Sequence, residues 1–366
     1  MKSLNTDYFS RIDHLRFFAA TLVIFHHFRG KLSLDNGQWT MDIISSSSLF
    51  IKTWLINGST GVSLFLFLTG FLFCIISGYG EKKIQYKGFI YNRILRIFPM
   101  MVLMAFIVIT VNRAGSTPMD IFRILTLQLN TGHSYTGWGH EFYPSGPIWT
   151  IAVEFQFYLL FPFLALFLSR YGLKYLFAIV LLSIALRFNI HSLVSKPMYW
   201  NFYHSIFGRL DQFVLGMIFA VLWKRGYFSL FSSKLVSLVV VITSIIVLMY
   251  LFTFKKTDAI YTYFSFTIEA ICWGLIAVAY FVVKLPKVKF IDTSLAKLGE
   301  ISFSLYILHL PIGGMVTRVL NLSLATSVTD SLSMTLIRLI PIILVSFFTF
   351  YVIEKPFMSL RVKYTS

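Results

Sequence analysis

The chain is short of charge. Asp, Glu, Lys and Arg together make up 13% of its 366 residues, where a soluble globular domain carries roughly 25%. That is too little to cover a water-facing surface. With 57% hydrophobic residues and a mean hydropathy of +0.75, a bilayer has to supply part of the solvent. Cysteine is scarce as well. Cys74 and Cys272 both lie in apolar runs and read as small buried hydrophobes. No Cys-x-x-Cys or Cys/His spacing is present, which argues against a metal framework and against a disulfide scaffold. The first apolar run is not followed by a small-residue cleavage site, and it carries Arg16, His26 and His27, so it reads as a retained span and not as a signal peptide. Acids are few beside bases, 15 against 32 Lys+Arg, for a net charge of +17. In a soluble protein such an excess points to nucleic acid. Here the basic residues sit in short clusters between apolar runs, the positive-inside pattern of a polytopic membrane protein, so no nucleic-acid partner is expected.

What is present in quantity is apolar sequence in lengths near those of a membrane span. Ten candidates run approximately over 12–28, 61–79, 95–112, 147–168, 173–190, 205–223, 235–254, 266–283, 300–320 and 333–353. A helix satisfies its own backbone in lipid, so the expected fold is an all-α polytopic membrane protein, a bundle of about ten transmembrane helices forming a single membrane-embedded domain over 1–366. Alternate loops hold most of the positive charge: Lys2 and Arg11, then Lys82, Lys83, Lys87, Arg93 and Arg96, then Arg170 and Lys174, then Lys224, Arg225 and Lys234, then Lys284 to Lys297, and last Lys355, Arg361 and Lys363. This places both termini in the cytoplasm. The longest external segment is about 113–146, and no soluble domain is expected at either end.

A charge near mid-bilayer costs about 2.5–3.5 kcal/mol on insertion scales, which makes the polar residues inside these runs the informative ones. They are Arg16 and His27 in the first run, Glu154 in the fourth, Arg209 and Asp211 in the sixth, Glu269 in the eighth and His309 in the ninth. Singly, each reads as well structurally, as a packing pair or a snorkelling end, as it does functionally. Together they point to a wet cavity. Arg16 and His27 are eleven residues apart, which at about 100° per residue returns within about 20° of the same helix face, about 16 Å further along. His26 lies about 80° from Arg16 on that wheel and faces a neighbour instead. Arg93 and Arg96 stand one turn apart at the start of the third run. They are either interfacial anchors or a phosphate clamp, since guanidinium forks match phosphate oxygens. Glu154 and Tyr158 share a face at i and i+4, and a buried Glu154 should be neutral or paired with a cation such as His27. Trp149 alone would be an interface anchor. Ser302, Tyr306 and His309 form one broad stripe, and a lone His309 would ordinarily be a helix-packing hydrogen bonder.

These residues, taken in order, resemble the integral-membrane acyltransferase-3 family over about 8–357. The Arg-x10-His of the first span is Arg16 and His27. GVSLFLFLTGFLF at 61–73 corresponds to the family's Gly-Val-x-x-Phe-x-x-Ser-Gly-Phe. Arg93 and Arg96 precede Ile-x-Pro, and Trp149, Thr150, Glu154, Gln156, Phe157 and Tyr158 match the Trp-Ser/Thr-Ile/Leu-x-Val-Glu-x-Gln-Phe-Tyr run. LGEISFSLYILHLP and VIEKP match the two closing motifs. Departures are His14 for a common Gly, Ser63 for Asp, Thr69 for Ser, Phe303 for Tyr and Phe155 for Glu. The family's frequent appended SGNH-type domain is not expected here.

The resemblance implies transfer of an acyl group, usually acetyl from cytoplasmic acetyl-CoA, to a hydroxyl of a cell-surface or exported glycan across the bacterial inner membrane. It makes His27 and Glu154 the catalytic pair, with His27 as base or acyl carrier and Glu154 as its orienting partner. Arg16, Arg93 and Arg96 would take the donor's phosphates. Thr69, Trp149, Tyr158, Arg209, Ser302, Tyr306 and His309 would line the substrate cavity. Acetyl-CoA is the expected co-substrate, a glycan the expected acceptor and membrane lipid the surroundings, with no metal. A secondary transporter or flippase also needs intramembrane charge, but no internal repeat is visible.

Overall fold

In the computed structural model, the described residues are 8–34, 46–111, 117–128, 130, 148–194, 196, 198–254, 256–286 and 288–365. The 113–146 segment expected outside the membrane lies largely beyond them. The helices are α1 (Ser10–His27), α2 (Ser47–Asn57), α3 (Gly61–Ile76), α4 (Tyr86–Val111), α5 (Pro118–Leu125), α6 (Trp149–Tyr171) and α7 (Leu173–Leu193). After these come α8 (Tyr199–Tyr203), α9 (Ile206–Lys224), α10 (Lys234–Leu251), α11 (Ala259–Val282), α12 (Lys289–Glu300), α13 (Ser302–Val319), α14 (Val328–Thr349) and α15 (Lys355–Met358). The protein is therefore an all-α multi-pass membrane protein.

Among the described residues, eight helical stretches are long and apolar enough to cross a membrane, and nine if α12 and α13 count as one span bent by 66°. The first expected span, α1, is helical for 18 residues but carries Arg11, Asp13 and Arg16, which keeps it out of that set. It runs through the protein interior nonetheless, with Ala19, Ala20, Val23 and Ile24 buried. Elsewhere the boundaries shift. α2 and α3 read together as one 30-residue stretch, Ser47–Ile76, and α11 begins at Ala259, ahead of the expected 266. Tyr8 and Phe9, at one end of the described chain, and Tyr364, at the other, line the same cavity, so both ends lie on one side of the bundle.

The charges on α1 have partners in the neighbouring helices. Arg11 donates to the carbonyls of Tyr280 (2.5 Å), Phe281 (3.0 Å) and Val283 (3.0 Å), capping the C-terminal end of α11 where the helix dipole favours a cation. His14 bridges the Tyr280 hydroxyl (2.7 Å) and the Asp292 carbonyl (2.9 Å) and so ties α1 to α11 and α12. A buried ion pair, Arg187 to Asp211 at 2.8 Å with both side chains fully buried, links α7 to α9, and Thr267 of α11 bonds to both members.

The centre of the bundle is the crossing of α3 and α9, which glycine makes close. A Cβ on Gly70 would stand 1.9 Å from the Phe213 carbonyl oxygen, and one on Gly216 would stand 2.1 Å from that of Phe67. Without a hydrophobic force between helices in lipid, this van der Waals contact is much of what associates them. Gly70→Ala is expected to lower stability by about 1–3 kcal/mol or more. Gly314→Ala, where a Cβ meets nothing within 4 Å, should be neutral or slightly stabilising. Thermal unfolding midpoints of the two variants in one detergent check this.

Candidate active site

α1, α3, α4, α6, α12 and α13 and the segment after α15 enclose a cavity of about 450 Å3. Its depth follows from α3. Val62 and Ile76 both line it, and fourteen residues at about 1.5 Å each give a length of about 21 Å. The mouth holds Tyr8, Asn92, Arg93, Arg96, Arg361 and Tyr364, and the deep end holds Val62, Phe65, Thr150 and Tyr306.

At the mouth the two arginines of α4 behave differently. Arg96 Nη1 reaches Glu354 Oε2 at 2.8 Å and its guanidinium lies over the Phe303 ring at 5.2 Å. Glu354 is fully buried, also accepts from Ser304, and sits in a π-helical turn, Phe350–Glu354. Two motifs separated by most of the sequence thus meet in one ion pair. Arg93 packs over Phe73 (5.1 Å), Phe89 (5.5 Å) and Tyr158 (5.7 Å). Arg16 lines the same wall and pairs with Asp13 at 3.5 Å. Arg361, which the sequence showed only as one more basic residue in a terminal cluster, joins them. Burial pushes its guanidinium down to about 9, and Arg93 and Arg96 push in the same direction, so it remains a cation at neutral pH.

Midway along the wall, Glu154 accepts from Tyr158 (2.5 Å) and Thr69 (3.2 Å). The expectation was a Glu154–His27 pair, but the hydrogen bonds of Glu154 stay within the cavity. α6 starts at the deep end, where Thr150 donates to the Tyr306 hydroxyl at 2.9 Å. Glu154 is four residues from Thr150, about 6 Å back toward the mouth, whereas His27 lies beyond the deep end. The ring neighbours of His27 are His26 at 5.3 Å and His309 at 5.1 Å. His309 is three residues past Tyr306 and fully buried. Its Nδ1 is 2.7 Å from the Tyr306 carbonyl, which can only accept, so Nδ1 carries the proton. Its Nε2 is buried without a hydrogen-bond partner among the described residues. Ser302 and Tyr306 line the cavity, as do Thr69 and Tyr158.

Trp149 and Arg209 belong to a separate network. Arg209 stacks on Tyr203 and Phe266, 4.2 Å from each centroid, and lies 5.7 Å from the Trp149 ring. It donates to Ser63 (3.3 Å) and Gln212 (3.2 Å). Ser63 in turn donates to the buried Glu269 of α11, so a carboxylate from a different helix stands beside the position where the family commonly has Asp. Close by, burial lowers the Lys256 ammonium, opposed by Glu269, and lowers His204 to about 4, which leaves that imidazole neutral above mildly acidic pH. Among the described residues, no three His, Cys, Asp or Glu side chains come together to hold a metal.

A membrane-embedded helical bundle with a cationic cavity mouth and the His27–His309 ring pair beyond its deep end is the architecture. The acyltransferase-3 profile, described as an acyltransferase domain, matches residues 9–354, and the chain belongs to that family. It is similar to the O-acetyltransferase OatA of Staphylococcus aureus (strain NCTC 8325 / PS 47), 26% identical over 335 residues, covering 85% of this chain and 51% of the relative. It is also similar to the putative O-acetyltransferase SACOL0978 of S. aureus (strain COL), 24% identical over 284 residues, covering 70% of this chain and 46% of the relative. The chain spans about half the length of these curated relatives. No solved structure matches it.

The Arg96–Glu354 pair gives a direct structural test. Glu354→Ala leaves a largely buried guanidinium and Ser304 without their partner and should cost about 3–5 kcal/mol of stability. Replacing both Arg96 and Glu354 with Leu should cost less than Glu354→Ala alone. Unfolding midpoints of the single and double variants read the difference.

Proposed function

We propose that the protein is an O-acetyltransferase that takes an acetyl group from cytoplasmic acetyl-CoA and places it on a hydroxyl of a cell-surface or exported glycan, working across the bacterial inner membrane. The observation that carries this reading is the cavity. It is about 21 Å deep along α3, cationic at its mouth, and stops one helical turn short of His309, whose ring neighbours His27. Acetyl-CoA has the matching shape, with phosphates at one end, a thin pantetheine arm, and the thioester at the tip. Arginines at the mouth hold the phosphates while the arm threads the cavity, past Thr69, Glu154 and Tyr158, toward Thr150 and Tyr306. The relatives' printed names, O-acetyltransferases, support the acetyl group.

In the transfer the acceptor oxygen bonds to the acetyl carbon, the carbon–sulfur bond breaks, and coenzyme A leaves as the thiol. A sugar hydroxyl is a weak nucleophile and must lose its proton as the new bond forms. His27 takes that proton, and it reaches the departing sulfur. On the alternative route the imidazole of His27 first carries the acetyl group itself. With the donor threaded from the cytoplasm, the acceptor enters from the opposite face and no donor has to be flipped.

Radiolabelled acetyl transfer by purified protein in nanodiscs tests the reading. His27→Ala should reduce transfer by about 10²–10⁴-fold, and His26→Ala, which removes an edge-on neighbour of His27, should retain substantial activity. Equal loss in both at equal folded yield removes the assignment to His27. Absence of any transfer by the parent protein with acetyl-CoA, together with transport of a glycan precursor, would favour a flippase.

A further inference from the structure

The cations around the cavity mouth divide into two kinds. Arg16 is held by Asp13 and Arg96 by Glu354. Arg93 and Arg361 take part in no ion pair among the described residues, and the Nε atom of each is buried without a hydrogen-bond partner. Three acids of the wall are engaged elsewhere: Glu154 with Thr69 and Tyr158, Glu354 with Arg96 and Ser304, and Asp13 with Arg16, while Glu300 of α12 also lines the cavity.

Arg361 is also deliberately placed. It lies on a non-helical segment that returns along α4 after α15. The buried Asn92 side chain accepts from the Val362 N–H at 2.9 Å and donates to the Val362 carbonyl at 2.7 Å. The Gln85 N–H donates to the Tyr364 carbonyl at 2.8 Å, the Tyr364 ring stacks edge-on against Phe89 at 5.3 Å, and Thr365 bridges to Ile84. Asn92 immediately precedes Arg93 in α4. One turn of helix therefore carries one guanidinium and clips the other beside it. Two like charges brought together with unpaired, desolvated N–H groups are unfavourable unless an anion comes between them.

We propose that Arg93 and Arg361 form a two-guanidinium anion site that grips the diphosphate of the acyl donor, which makes Arg361 a specificity-determining residue for a phosphorylated thioester over a phosphate-free one. The inference rests on the donor reading above and goes further by assigning the phosphate contact to the two unpaired arginines. Arg16 and Arg96, already bound to carboxylates, supply field and wall but not the fork. Bidentate recognition by Arg explains why the site uses guanidinium and not lysine, although Lys363 lies two residues away.

The test is titration of the full chain in nanodiscs with three probes: coenzyme A, pantetheine and inorganic pyrophosphate. Arg361→Gln should weaken coenzyme A and pyrophosphate by about 10–100-fold, the loss of one charge-assisted contact, and leave pantetheine unchanged. Arg361→Lys, which keeps the charge without the fork, should fall between. Asn92→Leu removes no charge but releases the clip, and should weaken the same two probes. Should Arg361→Gln fold poorly, Arg361→Lys decides alone: coenzyme A binding equal to the parent's overturns the assignment. If the parent binds pyrophosphate in an Arg361-dependent way but not coenzyme A, the donor reading fails and the anion site stands. If Arg361→Gln binds both as the parent does, the assignment of Arg361 fails and the donor reading stands. If the parent binds neither, both fail.

Discussion

A charged side chain inside an apolar bundle must meet a partner, and much of this structure follows from how that requirement is met. Arg187 meets Asp211 and Thr267. Arg11 meets the end of α11. Arg209 meets aromatic faces, Ser63 and Gln212. Arg96 meets Glu354. Most of these contacts join different helices, so the polar residues that lipid disfavours also hold the bundle in register. What remains unmatched is then informative. The Nε atoms of Arg93 and Arg361 at the cavity mouth, and Nε2 of His309 beyond its deep end, are buried and unbonded among the described residues. The proposed donor, with charge at one end and a reactive group at the other, would match these two positions.

In the proposed function the length of the cavity is what matters. Phosphates and a thioester lie at opposite ends of a long, thin donor, and the protein separates an arginine-lined mouth from a histidine pair by a comparable distance. On that proposal a cytoplasmic donor reaches chemistry near mid-membrane without the protein opening a path for it to cross. Membership of the acyltransferase-3 family and the names of the relatives are consistent with that arrangement.

Much of the fold was legible because its signal is local. Apolar runs of span length located the crossings, and even α1, with three charges, could be recognised from the Arg16–His27 spacing. The bend between α12 and α13 was not legible, and neither was the close approach of α12 to α1, where a Cβ on Gly299 would stand 2.0 Å from the Asp13 carbonyl oxygen. The site was legible as a set of residues but not as a set of partners. Helical wheels place Glu154 with Tyr158, and the structure has that contact. They say nothing of depth relative to another helix, so His27 was matched with Glu154 when its ring neighbours are His26 and His309. Arg93 and Arg96 looked alike at i and i+3, but a π turn brings Glu354 to one of them only. Arg361 gave no signal at all, because its position depends on a segment returning to Asn92 across 270 residues of sequence.

The central claim is that the donor threads this cavity with its phosphates at the mouth and its sulfur at the deep end. A structure of the protein with a non-hydrolysable acetyl-CoA analogue tests it most directly. The account predicts phosphate density between Arg93 and Arg361 and the sulfur beside Thr150 and Tyr306, with the histidine pair next beyond it. Density for the analogue on the opposite face, against Arg29, Lys256 and Trp200, would contradict it.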